Sequence, residues 1–174
     1  MTEPLDLATH PGVSRVRAAL AAAGVPDRVQ VLDSGARTAA EAAASLGVGV
    51  AQIANSLVFV AHPHHDAVGG DDPFPVLVLA SGGHRVDTDL VADLLEVASV
   101  RRASPDLVRS ATGFVIGGVS PVGHPNPLPT LVDADLADLG EVWAAAGHPH
   151  TVFPTSHDEL VRLTEGRSAV VARP

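Results

Sequence analysis

The chain has 174 residues, 46% of them hydrophobic and 18% charged, a composition that excludes a disordered chain and predicts one compact domain with a substantial core. It has no cysteine, so disulfides, thiolate zinc sites and cysteine nucleophiles are excluded. Its eleven basic residues, all arginine, are outnumbered by twenty acidic ones, and the net charge of −9 argues against broad binding along a nucleic-acid backbone.

The N-terminal part is predicted to form a flexible leader followed by a helix. Residues 1–12 lack both the basic start and the apolar run of a signal peptide. No apolar stretch approaches the roughly 18 residues that a membrane-spanning helix needs, so a cytoplasmic protein is expected. Val13, Val16 and Leu20 then follow at helical spacing, and Gly24 ends that helix.

The next part of the chain is predicted to contain three strands and one helix. Residues 29–32 form a short strand, and the capping box at 38–41 opens an alanine-rich helix that ends at Gly47. Residues 56–60 and 76–80 are rich in β-branched and apolar side chains, which is typical of buried strands. A surface loop rich in glycine, proline and histidine joins them, so a hairpin is expected.

The second half alternates helices and strands around one long irregular stretch. Asp87 and Ser104 are predicted N-caps, and Gly113 ends the helix that Ser104 opens. A capping box at 156–159 opens the last helix. Residues 116–130 are too rich in glycine and proline for regular structure. The remaining strands are predicted at 97–102, 131–132, 142–146, 151–153 and 168–172.

These elements interleave short strands with short helices, without a regular βαβ series, an internal repeat or a domain boundary. The chain is therefore predicted to form a single α/β (α+β) domain over residues 13–174. Its short helices are expected to surround a mixed β-sheet or a partly closed barrel.

The most informative irregular segment is 117–125, with the sequence GGVSPVGHP. Glycines allow a close approach of backbone to a ligand, and the prolines hold the loop rigid. Such a loop can direct successive N–H groups at a carbonyl or phosphate oxygen, or it can be a rigid connection only. Ser120 lies outside the strand–turn–helix setting of a Gly-x-Ser-x-Gly nucleophile, so no Ser-His-Asp triad is assigned.

Other polar clusters have both a functional and a structural interpretation. The histidines of 62–66 and 148–150 could bind a metal, but neighbouring glycines and prolines favour solvated loops. The arginine pair 101–102 could contact a phosphate, although an exposed strand end is favoured. Asp133 and Asp135 are interpreted as solvated loop charges and helix-start residues.

Several segments, in order and spacing, resemble those of one known family. They are the helix 38–43 with 46–48, the strand entry 52–59 (QIANSLVF), 76–79 with 83–87 (GHRVD), 111–114 with 117–123, and the C-terminal segments 142–147 and 158–164. The family is that of the YbaK/ProRS-associated (prolyl-tRNA editing) domains, and the resemblance runs from about Val13 to Val171.

The resemblance implies a mixed-sheet α/β fold and a free-standing aminoacyl-tRNA deacylase. Such an enzyme hydrolyses the ester of misacylated tRNA, in trans-editing of the Ala-tRNA(Pro) or Cys-tRNA(Pro) type. The implied partner is the 3′ end of a misacylated tRNA, with a prolyl-tRNA synthetase as a further possible partner and neither membrane nor DNA. No metal ion and no organic cofactor is expected.

The resemblance also implies a loop that positions the aminoacyl group and the terminal ribose. The predicted catalytic residues are Gly117, Gly118, Val119, Ser120 and Pro121. Substrate binding is predicted for Asn55, Gly123 and His124. An aminoacyl ester is an activated acyl group, so positioning and oxyanion stabilisation can supply much of the catalysis without a protein nucleophile.

Asn55 departs from the family pattern, in which many members carry a lysine. An asparagine can form hydrogen bonds but brings no charge. The alternative function is therefore a non-catalytic YbaK-like module that binds an aminoacyl-nucleoside or a protein partner. The missing lysine and the net acidity favour this module, whereas the intact glycine–proline loop favours the enzyme. For the enzyme, Asn55 and the Gly117–Pro121 loop are expected to line one pocket.

Overall fold

A computed structural model describes residues 6–66 and 68–174 of the chain. Five α-helices are present in this part, each within one residue or two of its predicted position. They are α1 Pro11–Ala22, α2 Ala39–Leu46, α3 Thr88–Leu95, α4 Pro105–Thr112 and α5 His157–Thr164. Two short 3-10 helices, Val50–Gln52 and Ala134–Leu139, were not predicted.

The predicted caps begin and end these helices. The Thr38 hydroxyl accepts a hydrogen bond from Glu41 N–H at 3.1 Å, and Ser104 and Ser156 cap α4 and α5 in the same way. The Glu41 carboxylate accepts from Arg37 N–H at 2.7 Å, one residue before the position that a capping box would use.

Eight strands form two sheets. The strands are β1 Gln30–Val31, β2 Ala54–His62, β3 Phe74–Ser81, β4 Ser99–Arg102, β5 Thr130–Asp133, β6 Glu141–Ala145, β7 Thr151–Ser156 and β8 Arg167–Ala169. The larger sheet has the order β4-β2-β3-β5-β8, antiparallel at β4-β2-β3 and parallel at β3-β5-β8. The smaller sheet, β1-β7-β6, is antiparallel. This architecture confirms the predicted class of mixed sheet and short helices, but the strands form two open sheets and not a barrel.

The central strand of the larger sheet, β3, is buried on both faces, as its nearly unbroken apolar sequence requires. Leu77 and Leu79 pack into the main core with residues of β6, β7, α1, α4 and α5. Val76 and Val78 point to the opposite face and pack beneath α3. A third, smaller cluster joins α2 to the junction between the two sheets.

The predicted hairpin between β2 and β3 is confirmed by the antiparallel register of Asn55 with Ala80 through Ala61 with Phe74. Its connection, residues 63–73 without Ala67, is mostly exposed, as expected for a surface loop. We call this connection the hairpin loop. His65 within it is almost fully exposed and lies 3.9 Å from the carboxylate of Asp71.

The first five residues of the predicted leader lie outside the described residues. Of the rest, Leu7 is buried and His10 caps α1 by accepting a hydrogen bond from Gly12 N–H. Within residues 6–66 and 68–174, every helix is too short or too polar to cross a membrane.

Candidate functional site

The candidate site lies at a gap along the edge of β2. An isolated bridge joins Ile53 to Trp143 of β6 at one end of this edge, and β4 pairs with β2 only from Phe59 onward. Ala103 N–H donates to Val58 O, so the backbone groups of Val58 face β4. Because strand residues alternate, the N–H and C=O of Ser56 face the same side, between the two points of attachment. This edge is therefore open where β6 and β4 diverge.

An inner cavity of about 80 Å³ opens at this gap. Its walls come from α2, β2, β6, β7 and the connection between α4 and β5. Small apolar side chains line most of it, namely Ala36, Ala39, Ala42, Ile53, Ala54, Ala144, Ala145 and Val152, together with Trp143. Asn55, Gly117 and Val119 line the same cavity. Asn55 therefore lines one cavity with two of the five residues of the predicted Gly117–Pro121 loop.

We call residues 114–129, between α4 and β5, the site loop. Gly117 has φ +94°, which a residue with a side chain rarely adopts. Gly118 approaches the backbone of His148 so closely that an added Cβ would lie 2.9 Å from His148 Cα. These two positions require glycine for different reasons, one for its dihedral angle and the other for space.

The second half of the site loop is buried behind the cavity. Ser120 is fully buried, and its hydroxyl accepts a hydrogen bond from Val122 N–H at 3.2 Å. Pro121 is also buried. Gly123 packs against the backbone of Arg15 in α1. Among the predicted site residues, Asn55, Gly117 and Val119 therefore face the cavity, while Ser120, Pro121 and Gly123 support the loop from behind.

His124 holds the site loop in its conformation. Its Nε2 lies 2.7 Å from Ser120 O, so this nitrogen carries the proton and donates to the carbonyl. Burial lowers the pKa of His124 below its usual 6.5, and the positive charge of Arg15 adds to the decrease although the Ser120 contact opposes it. The imidazole is therefore neutral near pH 7.

The cavity offers polar atoms but few reactive groups. Its hydroxyls belong to Thr38, Ser56 and Thr151, and two of these are engaged, because Thr38 caps α2 and Thr151 donates to His148 O. Among the described residues, the lining includes no histidine and no carboxylate. The Ser56 hydroxyl and the Trp143 indole nitrogen are buried without a hydrogen-bond partner in the described part of the chain. Such a lining can position and polarise a bound group.

Arg37, Ser56 and Trp143 are site residues that the sequence reasoning missed. Arg37 lies beside the N-cap of α2 and lines the cavity and the two spaces next to it. In the sequence, Arg37 could have been recognised only by its position directly before the capping box at 38–41. Trp143 carried a signal as the single tryptophan of the chain.

The interpretation of Asp133 as a solvated loop charge is wrong. It does start a 3-10 helix, but it is buried and accepts hydrogen bonds from Ser81 N–H at 3.0 Å and from His84 Nδ1 at 2.7 Å. Asp135 lies 3.3 Å from His84 Nε2, so the three side chains are close enough to be considered as metal ligands. The two aspartates, however, contact opposite nitrogens of the His84 ring. A single ion bound at either nitrogen would therefore have one imidazole nitrogen and one nearby carboxylate, buried Asp133 at Nδ1 or exposed Asp135 at Nε2.

His148 and His150 do not line the inner cavity but a neighbouring space that Gly117 also lines. His148 lies between His10 and His150, with ring centroids 4.9 and 5.3 Å away. Loss of hydration lowers the pKa of His148, and the neighbouring His10 and His150 lower it further. The segment predicted to be a solvated loop is therefore partly buried, with its imidazoles in edge-to-face and tilted contacts beside the site loop.

Comparison with known proteins gives a consistent result. Residues 33–163 match the model of a family described as the aminoacyl-tRNA editing domain. The chain is 33% identical over 105 residues to a proline–tRNA ligase of Limosilactobacillus fermentum, which covers 60% of this chain but only 18% of that ligase. It is 23% identical over 134 residues to EbsC of Enterococcus faecalis, named as a candidate Cys-tRNA(Pro)/Cys-tRNA(Cys) deacylase, with 77% and 76% of the two chains covered.

A solved structure described as a candidate trans-editing enzyme for prolyl tRNA synthetase has the same fold. It superposes with a TM-score of 0.82 at 39% identity, covering 95% of this chain and 99% of the other.

Proposed function

The chain belongs to the aminoacyl-tRNA editing domain family, and on that premise we propose that it is a deacylase that hydrolyses the ester of misacylated tRNA in trans. The observation that supports this most strongly is the inner cavity, where Asn55, Gly117 and Val119 surround a space with an open strand edge. The family model covers the segments that build it.

The size of the cavity favours a small amino acid. Its volume of about 80 Å³ is roughly half that of a cavity that admits benzene. Alanines form much of its wall, so there is room for a methyl or thiol group but little for a longer side chain. We therefore propose alanyl and cysteinyl esters of tRNA(Pro) as substrates. Cys-tRNA(Pro) is one of the two substrates that the name of the Enterococcus faecalis relative gives.

The proposed mechanism relies on positioning. Ser56 N–H faces the gap, and Asn55 lies at its mouth, so the ester carbonyl would accept hydrogen bonds there as negative charge develops on its oxygen. The site loop would hold the terminal ribose against Gly117. The attacking group would be water, or a hydroxyl of the substrate's own ribose, because the described lining holds no histidine or carboxylate to act as base.

The direct test is deacylation of a panel of misacylated tRNAs that includes Ala-tRNA(Pro), Cys-tRNA(Pro) and correctly charged Pro-tRNA(Pro). We expect release of alanine and cysteine and protection of proline. Ala145→Val, which narrows the cavity from β6, should slow release of cysteine more than release of alanine.

Ala98→Val provides the matched control, because Ala98 is exposed and lies outside the cavity lining. If every ester survives while the folded protein still binds an aminoacyl-nucleoside, the non-catalytic module is the correct interpretation. If Ala145→Val and Ala98→Val slow the release of cysteine equally, the inner cavity does not bind the amino acid.

A further inference from the structure

The charged side chains that line the site are mostly basic, whereas the chain as a whole is acidic. The inner cavity adjoins an outer cleft of about 510 Å³, and Asn55 also lines a third space of about 720 Å³. Four arginines line these three spaces, namely Arg37, Arg85, Arg102 and Arg173. Among the described lining residues the single carboxylate is Asp87, whereas the chain as a whole carries twenty acidic residues against eleven basic ones.

We call the third space the arginine groove. Arg173 pairs with Asp87 at 2.9 Å, which neutralises that carboxylate. Arg85 and Arg102 are exposed, and within residues 6–66 and 68–174 neither forms a salt bridge. Two unneutralised guanidinium groups thus face a groove that begins at the mouth of the inner cavity.

The strand register fixes the direction of this groove. Arg102 is the β4 partner of Phe59, and the strand period places Asn55, Leu57 and Phe59 on one face of β2. Asn55 and Phe59 are four residues apart, about 13 Å along the strand. Arg102 lines the outer cleft and the arginine groove but not the inner cavity, so it is placed for a charge farther along a ligand whose end lies in the cavity.

We propose that the arginine groove binds the phosphodiester backbone of the single-stranded tRNA 3′ end, with Arg102 contacting a phosphate upstream of the terminal nucleotide. This inference rests on the proposed function, because it takes the ester to lie in the inner cavity. A guanidinium binds phosphate through paired N–H groups, and the local positive charge provides attraction that the acidic surface elsewhere would oppose. Arg102 would thus determine binding of the nucleic acid and not the chemistry of the ester.

The chain offers a matched pair of variants for the test. Arg101 and Arg102 are adjacent and exposed on β4, but Arg101 is the partner of Val60 and points to the other face of the sheet. Arg102→Gln and Arg101→Gln change the net charge equally. We expect Arg102→Gln to lower kcat/KM on Ala-tRNA(Pro) about tenfold and Arg101→Gln to leave it within about twofold. Neither should alter hydrolysis of 3′-O-alanyl-adenosine, which has no phosphate.

A binding measurement keeps this inference separate from the proposed activity. The probe is a single-stranded RNA oligonucleotide ending in CCA, with its affinity measured by fluorescence anisotropy at increasing salt. Loss of one phosphate contact should reduce the slope of log K against log salt by about 0.7 in Arg102→Gln, with the wild-type slope kept in Arg101→Gln.

Several results would overturn the inference. One is that the wild type does not bind the oligonucleotide, and another is that Arg101→Gln and Arg102→Gln lose the same affinity for it. The inference also fails if Arg102→Gln lowers hydrolysis of alanyl-adenosine as much as that of Ala-tRNA(Pro), or if the wild type binds polyglutamate as tightly as the oligonucleotide. If the wild type hydrolyses no ester but Arg102→Gln alone loses affinity and salt slope, the proposed activity fails and the arginine groove stands.

Discussion

The site loop and the hairpin loop have similar compositions but different surroundings. Both connect regular elements through glycine, proline and histidine. The site loop lies against α1 and His148, and from Gly118 to Val122 it is buried. The hairpin loop is exposed from His64 to Pro73 in its described residues. Composition therefore predicts irregular backbone in both, whereas the packing around them decides which one can hold a fixed, site-forming geometry.

The largest effect should come from filling the space at Gly118. In Gly118→Val the Cβ would meet the backbone of His148 at 2.9 to 3.0 Å, and a β-branched side chain cannot avoid that contact. We expect a loss of about 1–3 kcal/mol in the free energy of unfolding and a fall in turnover of about 100-fold, because the loop must move from the cavity. Chemical denaturation and deacylation of Ala-tRNA(Pro) measure the two effects.

Gly83→Val is the control for this substitution. Gly83 is exposed, and an added Cβ there would have its nearest neighbours at 4.0 Å. The Gly83→Val protein should have a free energy of unfolding and a turnover close to those of the wild type. A Gly118→Val protein with wild-type turnover would show that the site loop does not form the catalytic site.

The contrast between these loops also shows what the sequence could predict. The ends of α2 and α4 are set by neighbours within four residues, such as Thr38 with Glu41, so local patterns located them. The burial of Asp133 depends on Ser81 and His84, about fifty residues earlier in the chain, and no local pattern reports such a contact. The close approach of Gly118 to His148 was missed for the same reason.

The next effect concerns charge at the mouth of the cavity. Asn55 is exposed there and lines all three spaces of the site. Asn55→Lys should strengthen binding of the tRNA end by about 1–3 kcal/mol through a new charge-assisted contact, with a gain that shrinks as salt rises. Val68→Lys adds the same charge to the hairpin loop, where Val68 is fully exposed, and should change affinity little. Equal gains from both lysines would mean that only net charge matters.

A smaller effect should follow acidification. The pKa of His124 and that of His148 are both lowered in the folded protein from the usual 6.5, so the unfolded chain binds protons first as pH falls. Stability should therefore be unaffected by these groups well above pH 6.5 and should decrease as pH falls through 6.5. Melting temperatures between pH 7.5 and 5 measure this, and His124→Gln should make the decrease shallower.

Val68→Gln is the control for His124→Gln, because it changes a fully exposed residue of the hairpin loop without removing a titratable group. It should leave the slope unchanged. A melting temperature that is constant from pH 7.5 to 5 in the wild type would contradict the proposed desolvation of His124 and His148.

The smallest effect is expected in the hairpin loop itself. His64 and His65 are exposed, and the described residues of this loop make few contacts that could hold metal ligands in place. The double variant His64→Ala, His65→Ala should change the free energy of unfolding by less than about 0.5 kcal/mol and leave turnover unaltered.

Exhaustive chelation should likewise leave deacylation intact. If chelation abolishes activity and zinc restores it, the double variant and His84→Ala should be compared. If the double variant no longer responds to zinc, the hairpin loop binds a metal. If His84→Ala no longer responds, the metal is bound by His84, Asp133 and Asp135.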